Sequence, residues 1–94
     1  MTDILERKLV IADAAAASRV GDELVILHLA NGTYYGLDPV GTRIWELVNE
    51  RVATPEICRL LADEYGVDLA TIEADARAFL ADLVSHDILV DPSD

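Results

Sequence analysis

The side chains able to do covalent or acid/base chemistry are few. Cys58 is the sole cysteine. It stands near the start of a predicted helix, where the dipole favours a thiolate. Its place between Ile57 and Leu60 suits a small buried helix residue equally well. One cysteine cannot close an internal disulfide, so a reduced, cytoplasmic setting is expected. His28 sits in an apolar run and His86 near a helix end, where it complements the dipole. No His-x-x-x-His or Cys-x-x-Cys spacing is present, so no metal is expected. Glycine-rich phosphate loops and Gly-x-Ser-x-Gly elbows are also absent. The acidic pairs Asp63-Glu64, Glu73/Asp75 and Glu46/Glu50 read as solvated helix faces, the last a mildly unfavourable like-charge i, i+4 pair. No acid/base constellation emerges that a small domain would desolvate. No catalytic residue, no cofactor and no enzymatic activity are therefore expected.

The balance of charge narrows the partners. The 94 residues carry a net charge of −11. Residues 1–53 hold 5 basic and 8 acidic side chains, and residues 54–94 hold 2 and 10. Nucleic acids and anionic membranes attract cationic surfaces, so neither is an expected partner. No apolar run approaches the ~20 residues of a membrane span. The start Met1-Thr2-Asp3-Ile4-Leu5-Glu6 lacks the basic and apolar regions of a secretory signal. With 52% hydrophobic residues, the chain reads as one folded domain over 1–94.

The elements follow from pattern. Residues 1–17 read as an irregular or extended segment in which Leu9-Val10-Ile11 forms a short strand and Ala14 to Ala17 a connection. A second strand surrounds Ser18-Arg19-Val20, and Gly21-Asp22 signals a turn. Glu23 to Leu37 reads as a hairpin, with Asn31-Gly32 as a type I′ turn. Both alternating sets of the first arm, Leu24/Ile26 and Val25/Leu27/Leu29, are apolar, which predicts a central strand covered on both faces. The second arm is short, contains Gly36 and stops at Asp38-Pro39, so it reads as an edge. Three helices follow. Asp38 and Pro39 start the first, with Val40, Ile44, Trp45, Leu47 and Val48 on one stripe. Thr54-Pro55 starts the second and Gly66 ends it. Asp68 caps the third, which runs to about His86 with Ile72, Ala76, Phe79, Leu80, Leu83 and Val84 inward. Ile88-Leu89-Val90 is an extended apolar tail. The predicted fold is α+β and winged helix-turn-helix-like, a small three-stranded antiparallel sheet followed by three helices.

The run Tyr34-Tyr35-Gly36-Leu37-Asp38-Pro39-Val40-Gly41-Thr42-Arg43-Ile44-Trp45-Glu46-Leu47 resembles the core pattern of the PqqD-like family. Thr54-Pro55-Glu56-Ile57, Leu60-Leu61, Tyr65, Asp75, Phe79-Leu80, Leu83 and Ile88-Leu89-Val90 continue the likeness in order, so that it covers residues 18–91. Asp38 stands where Asn is often found, and both cap a helix. The resemblance implies a recognition element for ribosomally made, post-translationally modified peptides, in particular the standalone lasso-peptide type. It implies an adaptor or chaperone that captures the leader of a precursor peptide by strand addition. The adaptor then presents it to modifying enzymes such as a leader protease, cyclase or radical enzyme. The guest strand would add to Thr33, Tyr34, Tyr35, Gly36 and Leu37. It would lie against the third helix, touching Ala74, Asp75, Ala78, Phe79, Asp82 and Leu83.

Physical reasoning is compatible with that role. An unpaired sheet edge is a template for another strand. Ordering a peptide costs about 1–2 kcal/mol per residue, which ladder hydrogen bonds alone do not offset. Pockets along the helix must add apolar burial. Two other readings use the same elements. A winged-helix DNA-binding regulator would need the third helix to recognise DNA, although it carries Glu73, Asp75 and Asp82 against Arg77. A small oligomerisation module or homodimer would use the apolar Ile4, Leu5, Leu9, Val10 and Ile11 to meet a second copy.

Overall fold

The computed structural model describes residues 3–21 and 23–91. A three-stranded antiparallel sheet, β2 (Ala15–Val20), β3 (Glu23–His28) and β4 (Tyr34–Leu37), has β3 in the centre. Helices α1 (Pro39–Asn49), α2 (Thr54–Tyr65) and α3 (Leu69–Ser85) follow. A 3₁₀ turn at Ile4–Glu6 precedes β1 (Val10–Ile11), which pairs with β5 (Leu89–Val90) in a separate two-stranded ribbon. The α+β architecture is the one expected from the sequence.

Residues 3–17 are more ordered than their composition suggested. Ala15 to Ala17 belong to β2 rather than to a connection, because β2 pairs with β3 over its whole length, from Ala15 opposite His28 to Val20 opposite Glu23. Alanine has little strand preference, and this long pairing overrides it. Gly21 has a φ of +64°, as a turn demands; Asp22 lies outside the described residues. Leu5 and Leu9 are buried in the core, and Val10 and Ile11 face β5. Of the apolar side chains that offered a dimer surface, Leu5 and Leu9 are thus taken up in the core, while Ile4, Val10 and Ile11 stay half-buried.

Two details of the hairpin differ from expectation. Only Gly32 in its loop has a positive φ, at +72°, so the turn is not type I′. The loop Leu29–Gly32 is four residues long, with Gly32 N–H donating to the His28 carbonyl at 2.8 Å. Thr33 N–H donates to Asn31 Oδ1 at 2.9 Å. Loops of this length use other turns than the two-residue I′ type. Moreover, β3 is covered on one face only. Leu24, Ile26 and His28 are buried, but Val25 and Leu27 are half-buried. The neighbouring Val20, Leu29 and Tyr34 are exposed.

The core lies between the inner sheet face and the helices. Ile26, Ile44, Ile57, Leu61, Leu80, Leu83 and Ile88 are almost wholly buried, with Trp45 among them. Asp38 caps α1 by accepting from Gly41 N–H at 2.7 Å. The start of α2 is displaced by one residue from the reading. Ala53 occupies the cap, and Thr54 is the first helical residue and buried. Asp68 is the cap residue of α3, yet its side chain makes no capping bond; its carbonyl accepts from Thr71 and Ile72. All three helices end alike. The N–H groups of Val52, Val67 and Ile88 reach back to the carbonyls of Leu47, Ala62 and Leu83. The residue before each donor, Arg51, Gly66 or Asp87, has a φ near +60°, the Schellman geometry.

Candidate peptide-binding edge

The geometry of β4 follows from its register. Tyr34 faces Leu27, Tyr35 faces Ile26, Gly36 faces Val25 and Leu37 faces Leu24. His28 N–H donates to the Thr33 carbonyl at 2.9 Å. Hydrogen-bonded pairs alternate along an antiparallel ladder, so Tyr35 and Leu37 also bond to β3. The N–H and C=O groups of Tyr34 and Gly36 then point away from the sheet, along a free edge. These are the backbone groups on which a further strand would pair. Side chains alternate as well. Tyr35 and Leu37 lie on the inner face, and Tyr34, 70% exposed, lies on the outer one.

Helix α3 approaches this edge from the inner side. The rings of Tyr35 and His86 are 5.1 Å apart and tilted by 59°. The Asp82 carboxylate raises the Tyr35 phenol above its ordinary pKa, adding to the larger effect of desolvation. His86 Nδ1 lies 2.8 Å from the Asp82 carbonyl and 3.4 Å from its carboxylate. Asp75, Phe79, Asp82 and His86 recur at helical spacing and share one flank of α3. Phe79 is half-buried and closes this flank against the first turn of α1 at Gly41. The flank therefore presents an aromatic floor between two carboxylates.

The residues singled out from the sequence divide accordingly. Tyr34, Tyr35, Gly36 and Leu37 form the edge strand, and Thr33 stands just before it with its carbonyl bonded to His28. Asp82 lies near Tyr35 of β4, and Asp75 and Phe79 share its flank of α3 by helical spacing. Ala74 and Ala78 are exposed on the adjoining stripe, turned toward solvent. Leu83 is 1% exposed and packs in the core, so it has no surface to offer. Sequence reasoning missed His86 as a neighbour of the edge. Its spacing of seven from Phe79 was the available signal.

The remaining reactive groups stay apart from this region. Cys58 is buried, and its burial pushes the thiol upward rather than toward a thiolate. His28 is buried on β3, and its Nδ1 has no hydrogen-bond partner among the described residues. Arg77, the sole base of α3, pairs with Asp3 at 2.8 Å. The described residues contain no cluster suited to a metal ion, and none of their helices is long and apolar enough to cross a membrane.

Comparison with known proteins accords with this geometry. Residues 23–89 match the family model described as coenzyme PQQ synthesis protein D (PqqD). The chain belongs to the PqqD family. A solved structure described as TbiB1 in complex with the TbiA(β) leader peptide is 44% identical. It superposes with a TM-score of 0.83, covering 90% of this chain and 99% of that one. A second, described as lasso peptide synthetase B1 complexed with the leader peptide, is 17% identical. Its TM-score is also 0.83, with 88% and 98% covered, and it shares the fold. A search of curated proteins gives no match.

Proposed function

We propose that this PqqD-family chain is a leader-peptide-binding adaptor of a lasso-peptide pathway. It captures a ribosomal precursor by adding the leader as a strand along Tyr34 to Leu37. It then presents the precursor to a leader protease and a cyclase, has no catalysis of its own, and acts in the cytoplasm, where ribosomal precursors are made. The observation that carries the reading is the unpaired row of backbone groups at Tyr34 and Gly36, facing the Phe79 flank of α3. The 44% identity to TbiB1, solved with a leader peptide, supports it. Each ladder hydrogen bond contributes only about 0.5–1.5 kcal/mol net. Apolar contact with Phe79 and Tyr35 supplies the remainder and sets specificity.

The test is fluorescence polarisation with labelled TbiA(β) leader peptide, run beside a labelled DNA duplex. Saturable binding of the peptide and none of the duplex is expected. Binding to the duplex alone would refute the reading.

A further inference from the structure

Gly41 lies in the first turn of α1, at the foot of the proposed groove. A Cβ built on it would stand 3.1 Å from Phe79 Cε1 and 3.4 Å from Cζ. It would also stand 3.1 Å from Asp38 Oδ1. These are tight contacts, so one neighbour would have to yield. Asp38 is held in place, because the same oxygen accepts from Gly41 N–H at 2.7 Å. Phe79 is half-buried, with Leu80 on its core side wholly buried. Its ring packs against the core on one side, so it would yield toward its exposed side, the side of the proposed groove. Gly41 has no positive φ, so backbone conformation does not require glycine here. A glycine inside a helix is unfavourable relative to alanine. The close approach of the Phe79 ring explains why it is kept.

We infer that Gly41 is a positioning residue for guest binding: its missing side chain seats the Phe79 ring at the depth the guest strand requires. This rests on the proposed function, and it assigns the specificity of the groove floor to a contact between α1 and α3. A larger residue at position 41 raises the ring into the path of the guest. A smaller, flexible residue at position 79 removes the conflict.

A double-mutant cycle separates this from a simple helix effect. The variants are Gly41→Ala, Phe79→Leu and the pair, each titrated with TbiA(β) leader peptide and melted by circular dichroism. Gly41→Ala is expected to weaken binding about fivefold or more, with Phe79 present. In the Phe79→Leu background the same alanine is expected to change the affinity less than twofold. Equal losses in both backgrounds, or no loss in either, would overturn the inference while leaving leader binding intact. Should Gly41→Ala alone unfold, the pair is still expected to fold and to bind as Phe79→Leu does; an unfolded pair contradicts the inference. Failure of the wild type to bind would instead remove the proposed function, and this inference with it.

Discussion

Tyr34 and Tyr35 are adjacent, yet the ladder gives them opposite duties. Tyr34 has its N–H on the free edge and opens β4, where proline is tolerated. Tyr35 has its N–H committed to β3. Tyr34→Pro is therefore expected to keep the fold and weaken leader binding about two- to tenfold beyond Tyr34→Ala. Tyr35→Pro breaks the ladder and is expected to lower the melting temperature outright. Peptide titration and thermal melts of the three variants check this. A second residue-scale prediction concerns Asp3, whose carboxyl is held below the ordinary 3.8, chiefly by its hydrogen bonds to Arg77. A lowered folded value means a stabilising contribution that is present above the unfolded value and lost as pH falls through the folded one. The wild type is thus expected to melt above Asp3→Asn at pH 7, with the gap closing below about pH 4. A gap independent of pH would show that the ion pair is not its cause.

Helix ends illustrate how element boundaries are encoded. Only α2 ends in a glycine, Gly66, and only that stop was legible in the sequence. Arg51 and Asp87 adopt the same left-handed geometry at the ends of α1 and α3 without a glycine, because the returning hydrogen bonds and the burial of Ile88 enforce it. Gly66→Ala is expected to cost about 1 kcal/mol, and Asp87→Gly to add up to about 1 kcal/mol, in urea unfolding. The helices, the hairpin and the edge character of β4 were readable because apolar spacing and turn residues agree there. The alanines of β2 were not, since long-range pairing and not propensity decides them. Nor did the pattern show that β3 is covered on one side only; apolar alternation does not say what lies opposite. The proposed site was legible only in its arrangement. Helical spacing puts Asp75, Phe79 and Asp82 on one flank of α3, but Leu83 lies one step further into the core, and His86 joins the edge only through its ring contact with Tyr35.

Across the whole molecule, the charge of −11 sets the long-range field that a guest meets. The flank of the groove carries Asp75 and Asp82, so the recognised segment of a leader is expected to be neutral or basic. Adding two lysines to the TbiA(β) leader probe should strengthen binding at low salt, and adding two glutamates should weaken it. Both effects should shrink near 1 M salt, where the screening length falls to about 3 Å. Fluorescence polarisation across a salt series reads this directly. An acidic probe that binds as tightly as a basic one at low salt would remove charge from the account of specificity. The same field weighs against DNA as a partner of the helix-turn-helix arrangement. The arginine of α3 is engaged by Asp3, and carboxylates dominate the surface around it.

Amide chemical shifts of the ¹⁵N-labelled protein, followed while TbiA(β) leader peptide is added, test strand capture most directly. The expected result is large shifts and new exchange protection at the Tyr34 and Gly36 amides, with shifts at Phe79, Asp82 and His86 along α3. Unchanged resonances at both places, or changes centred on β2, would contradict capture at this edge.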